Sequence, residues 1–263
     1  MKRPFVINII GSGNVARQMA LAWHKKKIVI GKVWSRTYEH ALELAALAEA
    51  EAIESPDKIF NNCNAVIVSI TDAALPLIAH QLKTNSGIPV FHTSGTQPLS
   101  ILKDISENYG VIYPLQTFSN SREVELEHVP FFLEASSAKT METAHHLAGL
   151  LSDNIHEIDS NQRMHLHLAA IFVSNFTNLM YSVADELLQK NNMPLEWLHP
   201  LMLETAMKAT ITKPSAVQTG PARRGDLEII EKHLGLLKEN PEIAAIYKRL
   251  SEEILKRYHF EIQ

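Results

Sequence analysis

A chain of 263 residues has room for one large domain or two of ordinary size, and with 46% apolar and 21% charged residues it reads as an ordinary globular protein. A net charge of −4 without any long block of like charge argues against a nucleic-acid or membrane-surface partner. Cys63 is the single cysteine, the N-terminus opens almost directly into a strand, and no apolar run reaches the ~18 residues of a membrane span, so a cytoplasmic protein without disulfide, leader or membrane partner is expected.

The first element is an apolar strand, Phe5-Val6-Ile7-Asn8-Ile9-Ile10. It runs into Gly11-Ser12-Gly13-Asn14-Val15-Ala16 and a helix from about Asn14 to Lys26. Strand, Gly-x-Gly-x-x-Ala and helix in that order predict a dinucleotide-binding turn. Gly11 allows the sharp turn, Gly13 lets a pyrophosphate approach the backbone, and Ala16 lets the helix pack close to the strand. The free N–H groups of the first helical turn, with Ser12, Asn14 and Val15, then meet phosphate charge.

A strand near Val29–Trp34 and a helix near Tyr38–Ala50 follow. Ala65–Ile70 is a continuous apolar run, as expected for a parallel strand covered on both faces, and a helix near Ala73–Leu82 comes after it. Pro89–His92, Gly110–Tyr113 and Val129–Leu133 are further strands. Strands alternate with helices to about residue 155, so the first half reads as a doubly wound, mostly parallel α/β sheet. From Gln162 onward the pattern is helical, with helices expected at Met164–Lys190, Pro194–Thr210, Gly225–Leu237 and Ile243–Tyr258. Two domains follow, 1–157 for the dinucleotide and 158–263 for substrate and self-association.

The end of the second strand bears on the cofactor. An NAD binder carries an acidic residue there; this chain has Trp34-Ser35-Arg36-Thr37, and no carboxylate before Glu39. Arg36 offers a planar fork to a 2′-phosphate and Ser35 and Thr37 offer hydroxyls, so NADP(H) is expected; the alternative is a solvated surface arginine. Ser69-Ile70-Thr71-Asp72 closes the next strand and should pass the nicotinamide-side phosphate and ribose, while Thr71 or Asp72 could equally cap the following helix.

The motifs Gly11–Ala16, Ser35-Arg36, His92-Thr93-Ser94-Gly95, Tyr113-Pro114-Leu115-Gln116, Ser174-Asn175-Phe176 and Thr219-Gly220-Pro221-Ala222-Arg223-Arg224-Gly225-Asp226 span nearly the whole chain. With them the chain resembles the Rossmann-like proteins with a DUF2520-type C-terminal domain. This family is labelled NADP oxidoreductases and is distantly related to pyrroline-5-carboxylate reductase and the coenzyme F420-dependent NADP oxidoreductases. The resemblance implies an N-terminal Rossmann domain, a helical second domain like that of 6-phosphogluconate dehydrogenase, and a homodimer through the C-terminal helices. It implies no particular substrate.

On the long helix, at about 100° per residue, Leu168, Ala169, Phe172, Val173, Phe176, Leu179, Met180, Val183, Ala184 and Leu187 share an apolar arc. His167, Ser174, Asn178, Tyr181, Ser182 and Asp185 form the opposite stripe, with Asn175 at its edge and Ile171 inside it. A stripe of uncharged hydrogen-bonding residues suits a cleft or a subunit seam, and a solvent face is the plain alternative. In related hydroxyacid dehydrogenases this helix brings a lysine and an asparagine to the substrate. Here Ile171 stands one turn before Asn175, where the lysine would be, which speaks against that mechanism.

His167 is the stripe residue able to trade protons near pH 7, with an ordinary surface histidine as the alternative. His92, at a strand end, is a second candidate, or a core histidine bonded to backbone. Asn175, Thr93 and Ser94 would position ligand, and Gln116, Ser174 and Arg224 would meet substrate; Asp226 is a helix-cap candidate beside Arg224. The 13 histidines lack metal-ligand spacing, so no metal is expected. Two readings of different class result: an NADP(H)-dependent oxidoreductase acting on a small carbonyl, imine or hydroxy substrate held between the domains, or a non-catalytic NADP(H)-binding sensor. An oxidoreductase with a second cofactor such as F420 is a third.

Overall fold

The computed structural model describes residues 4–84, 87–119 and 122–259. Strand β1 (Val6–Ile10) leads through the glycine turn into helix α1 (Asn14–Lys25). Then follow β2 (Val29–Trp34), α2 (Tyr38–Leu47), β3 (Glu51–Ile53), β4 (Ala65–Val68), α3 (Leu75–Gln81), β5 (Val90–His92), β6 (Tyr109–Pro114), β7 (Phe131–Ala135), α4 (Ala138–Gly149) and β8 (Ile155–Glu157). The sheet order is β3-β2-β1-β4-β5-β6-β7-β8. Its first six strands are parallel in the doubly wound arrangement, and β7 runs antiparallel to β6.

The central strands β1, β4, β5 and β6 are buried on both faces, which is why they are mainly apolar rather than alternating. One layer joins Ile7, Ile9, Met19, Trp23, Leu44, Phe131 and Leu147; the other joins Val66, Val68, Leu75, Ile78, Leu102 and Ile105. Trp23 is fully buried and its indole N–H donates to the Leu147 carbonyl at 2.9 Å, which ties α1 to α4. Asn8 is the polar exception within β1. Its amide donates to Ile59 O at 2.6 Å and accepts from Lys32 N at 2.8 Å, and the β1–β2 register slips beside it.

The sequence did not foresee the three-residue strands β3 and β8, because Glu51-Ala52-Ile53 and Ile155-His156-Glu157 are partly polar edge strands without an apolar run. The long helix begins earlier than expected, at Ser160. Asp159 and Gln162 form a reciprocal capping box there. It runs as α5 (Ser160–Ile171), a π-helical turn (Phe172–Phe176) and α6 (Thr177–Gln189). By length and composition alone this helix could cross a membrane, with a mean hydropathy of 1.2 over its best window. By compactness the chain divides into two units between Asn175 and Phe176, inside this helix. The reason is that α5 is fastened to the sheet. Arg163, 1% exposed, pairs with Glu134 on β7 and donates to Gln97 O at 2.6 Å, while Ser160 Oγ donates to Glu134 Oε2 at 2.8 Å.

In the second unit, α6 is followed by a 3-10 turn (Leu195–Leu198), α7 (His199–Ile211), α8 (Pro221–Arg224), α9 (Leu227–Leu236) and α10 (Pro241–His259). Helix α10 packs on α8 and α9 around Ala222, Ile230 and Leu237. Asp226 caps α9 as anticipated, accepting from Ile229 N at 3.2 Å. Many large apolar side chains remain outside: Leu201, Met207, Leu203 (72% exposed) and Ile211 (77%) on α7, and Phe172, Val173 (76%) and Phe176 in the π turn. Among the described residues none of the apolar arc of the long helix is fully buried.

Glu134→Ala leaves a buried guanidinium without its carboxylate. Urea unfolding should show a loss of about 3–5 kcal/mol.

Candidate functional site

The glycine turn is built by close approach. Gly11 has φ +114°, its N–H donates to Trp34 O at 2.8 Å, and a Cβ there would lie 2.0 Å from Ser69 O. Gly13 is different: nothing lies within 4 Å of where its Cβ would be, so open space stands over the start of α1. That helix has no side-chain cap and no acidic residue in its first turn, and its N–H groups are left for an anion. Ser12 Oγ donates to Ser35 Oγ at 3.0 Å, which brings the glycine turn and the end of β2 together. Arg36 and Thr37 are exposed beside them; Arg36 has no ion-pair partner among the described residues, and the Thr37 hydroxyl makes no cap bond to α2. Asn14 is turned elsewhere, donating to Phe118 O at 2.9 Å. Val15 is half-buried against the core layer under α1. An adenosine 2′-phosphate and a pyrophosphate fit this donor set: hydroxyls, free backbone N–H groups and one unpaired guanidinium.

The ends of β4 and β5 meet next to this turn. Thr93 Oγ1 donates to Ser69 Oγ at 3.0 Å. Ser94 and Thr96 both donate to the Asp72 carboxylate, and Ser94 Oγ accepts from Gln97 N at 3.0 Å. Neither Thr71 nor Asp72 caps α3, whose N-cap is Ala74. Asp72 instead binds the β5 loop, a cross-strand role that local sequence could not show. Ile70 lies under the glycine turn, its side chain 3.0 Å from the position of a Gly11 Cβ.

His92 is fully buried. Its Nδ1 accepts from Ser94 N at 3.1 Å, and Nε2 lies toward the Pro98 carbonyl without closing a hydrogen bond of ordinary geometry. Burial, reinforced by the nearby Arg163 charge, pushes its pKa from 6.5 down to about 3. A ring held neutral in this way cannot carry a proton near pH 7, so His92 takes its core alternative. Burial also pushes the Cys63 thiol up to about 11, so it is no nucleophile. Among the described residues, no group of three or more His, Cys, Asp or Glu side chains could hold a metal ion.

His167 is half-buried, and its Nδ1 lies 3.0 Å from the Tyr113 hydroxyl at the end of β6. The ring also lies over the β5 end, where a Cβ on Gly95 would stand 2.6 Å from Nδ1. The π turn changes what else shares its face. In unbroken α-helix Asn175 would lie about 80° from His167, and the wider π turn reduces that offset. Asn175 and Ser174 both sit in that turn, Asn175 exposed and Ser174 half-buried. Periodicity counted at a constant step could not find this.

Gln116 is exposed and its side-chain oxygen accepts from its own neighbour, Thr117 N, at 2.8 Å. Arg224 is exposed in the second unit, and no ion pair joins it to Asp226 among the described residues. Arg223 lies over the Tyr258 ring at 4.4 Å. Arg163 and Glu134, which hold α5, were missed because a lone arginine and a lone glutamate give no sequence signal of pairing.

Two family models match: the NADP oxidoreductase, coenzyme F420-dependent model over residues 6–89, and the domain of unknown function DUF2520 over residues 129–254. A Bacteroides fragilis protein assigned as an NADP oxidoreductase is 40% identical, with 96% of this chain and 98% of that one covered and a TM-score of 0.89. The chain belongs to this family of Rossmann-like NADP oxidoreductases with a DUF2520 domain. It shares its fold with an Aspergillus terreus reductive aminase solved with NADPH and ethyl-5-oxohexanoate (15% identity, 97% and 95% covered, TM-score 0.74). It shares it also with the Streptococcus pyogenes 1-pyrroline-5-carboxylate reductase (14%, 96% and 99%, TM-score 0.62). No curated protein matches at a significant level.

The depressed His92 pKa has a stability consequence. The unfolded chain takes up a proton near 6.5 that the folded chain refuses until about 3, so this contribution is complete above pH 6.5 and is lost as pH falls between those values. In urea melts, His92→Gln should make the acid limb shallower by up to about one proton.

Proposed function

We propose that this oxidoreductase uses NADP(H) and acts on a small carbonyl, imine or hydroxy compound. The observation that carries the reading is the unpaired Arg36 beside the Ser12–Ser35 bond, one strand from an uncapped helix N-terminus. Gly11, Ser12, Gly13, Asn14 and Val15 would form the pyrophosphate turn. Ser35, Arg36 and Thr37 would take the 2′-phosphate, and Ser69, Ile70, Thr71, Thr93 and Ser94 would line the nicotinamide side. When bound, the nicotinamide supplies or accepts a hydride at the substrate carbon.

His167 moves the matching proton at the substrate heteroatom. Asn175, in the π turn of the same helix, donates to that heteroatom through its amide, and Ser174 and Gln116 contact the substrate. Arg224 would meet the substrate's anionic end if it has one. The 40% identical Bacteroides fragilis NADP oxidoreductase and the NADP oxidoreductase model over residues 6–89 support the cofactor class. In this reading residues 1–157 carry the dinucleotide and 158–263 serve the substrate and self-association.

The partner is a second copy of this chain. Leu203, Met207 and Ile211 on α7, and Val173 in the π turn, are large apolar side chains left exposed, of the kind that self-association covers. A helical unit whose only fully covered apolar residues among those described are Ala222, Ile230 and Leu237 needs another surface to complete its core.

Calorimetric titration tests the cofactor assignment. Arg36→Ala should weaken NADPH by about 10–100-fold, the loss of a charge-assisted contact, and leave NADH nearly unchanged. Equal loss for both would refute it. With a panel of cyclic imines, ketones and keto acids, His167→Ala should lower kcat by about a hundredfold at unaltered NADPH affinity. Light scattering on the purified protein should give a dimer mass, and Val173→Glu with Leu203→Glu should give a monomer.

A further inference from the structure

Three residues from three parts of the chain meet at one point. Gly95 lies in the loop after β5, Tyr113 lies at the end of β6, and His167 stands one helical turn beyond the buried Arg163 on α5. The Tyr113 hydroxyl is 3.0 Å from His167 Nδ1, and the two rings meet edge to face at 6.1 Å. A Cβ on Gly95 would lie 2.6 Å from Nδ1 and 2.9 Å from Tyr113 Cζ. The contact therefore exists only because residue 95 has no side chain. Among the described residues the His167 ring has no other hydrogen-bond partner, so Nε2 is the nitrogen left for a ligand.

We propose that Tyr113 is a positioning residue for proton transfer: it holds His167 Nδ1, with Gly95 giving the room, so that Nε2 is the atom that exchanges a proton with the substrate. This rests on the oxidoreductase reading above. A phenol can donate to a bare Nδ1 and accept from a protonated one, so the bond persists in both charge states of the ring. Burial holds the Tyr113 hydroxyl proton on, its pKa pushed up to about 12; the Asp72 carboxylate reinforces this and the Arg163 guanidinium opposes it. Tyrosinate is thus not the proton source. In the reducing direction the Nε2–H bond of the imidazolium breaks and its electron pair stays on nitrogen. An O–H or N–H bond forms on the substrate heteroatom, and the carbon receives hydride from the reduced nicotinamide. The ring is left neutral with its remaining proton on Nδ1, facing the phenol oxygen.

The arrangement also explains why α5 is fastened so firmly. Arg163 and His167 are four residues apart and share a helix face. The guanidinium that binds Glu134, Gln97 O and Ser160 fixes the turn immediately before the imidazole.

The test uses the full chain loaded with NADPH, in two variants that break the same contact differently. Tyr113→Phe removes the hydroxyl; Gly95→Ala keeps it and displaces the imidazole. Nitrogen-15 NMR of the histidine rings reads the contact without turnover. Both variants should move the His167 Nδ1 resonance toward that of an unbonded ring nitrogen. In NADPH oxidation with the imine and ketone panel, each should lower kcat by roughly tenfold to a hundredfold. The double variant should be no slower than the worse single one, because residues acting as a unit are non-additive. NADPH affinity should hold in all three.

An unchanged Nδ1 signal or an undiminished kcat in Tyr113→Phe would overturn the proposal and leave the oxidoreductase reading standing. A variant that loses NADPH affinity at constant kcat would make Tyr113 structural, which also overturns it. Wild-type protein that neither binds NADPH nor oxidises it with any probe would bring down the reading and the inference together.

Discussion

Where β1 leaves the sheet, the backbone passes so close to the end of β4 that no side chain fits between them. The missing atom is the Cβ of Gly11, which would stand 2.0 Å from the Ser69 carbonyl oxygen. Everything at the dinucleotide end follows from that approach. It lets α1 start directly over the crevice, with its first N–H groups uncapped. It sets Ser12 against Ser35 and so ties the glycine turn to the end of β2, where Arg36 stands. The positive φ of Gly11 adds a second reason for glycine, since L-residues adopt that backbone at a cost.

The opposite side of the strand ends depends on a buried charge. A guanidinium taken out of water is costly unless it is paired and hydrogen-bonded; the two terminal nitrogens of Arg163 meet Glu134, Gln97 O and Ser160, while its buried Nε has no partner among the described residues. Such a pair contributes little net stability but fixes one geometry, because alternatives leave a buried charge bare. Here the geometry fixed is the seat of α5 on β7. His167 follows one turn later and meets Tyr113, and Asn175 lies in the π turn beyond it. A histidine on a long polar stripe thereby becomes one whose Nδ1 is held and whose Nε2 has no partner among the described residues.

Local chemistry made much of this legible. The apolar run into Gly-x-Gly identified β1, the turn and α1, because only close packing of a helix on a buried strand requires that spacing of small residues. The absence of a carboxylate at Ser35-Arg36-Thr37 pointed to a phosphorylated ribose. Asp226 read correctly as a cap, since capping is a contact over three residues. His92 did not disclose its character: the same residue at a strand end can face a crevice or a core, and only burial distinguishes the two. Asp72 looked like a cap and proved to be a cross-strand acceptor, because its partners Ser94 and Thr96 are remote in sequence.

The amino-acid order by itself determined the layered first half, the helical second half and the phosphate turn, all of which rest on periodicity and on residues within a few positions of one another. Tertiary structure alone decided which polar residues act together: Arg163 with Glu134, Tyr113 with His167, Ser69 with Thr93. It also decided that the helix widens at Phe172–Phe176 and that, among the described residues, no side chain of the apolar arc is fully buried. Those outcomes depend on which strand ends become neighbours and on how one helix is seated, and neither is encoded at any single stretch of sequence.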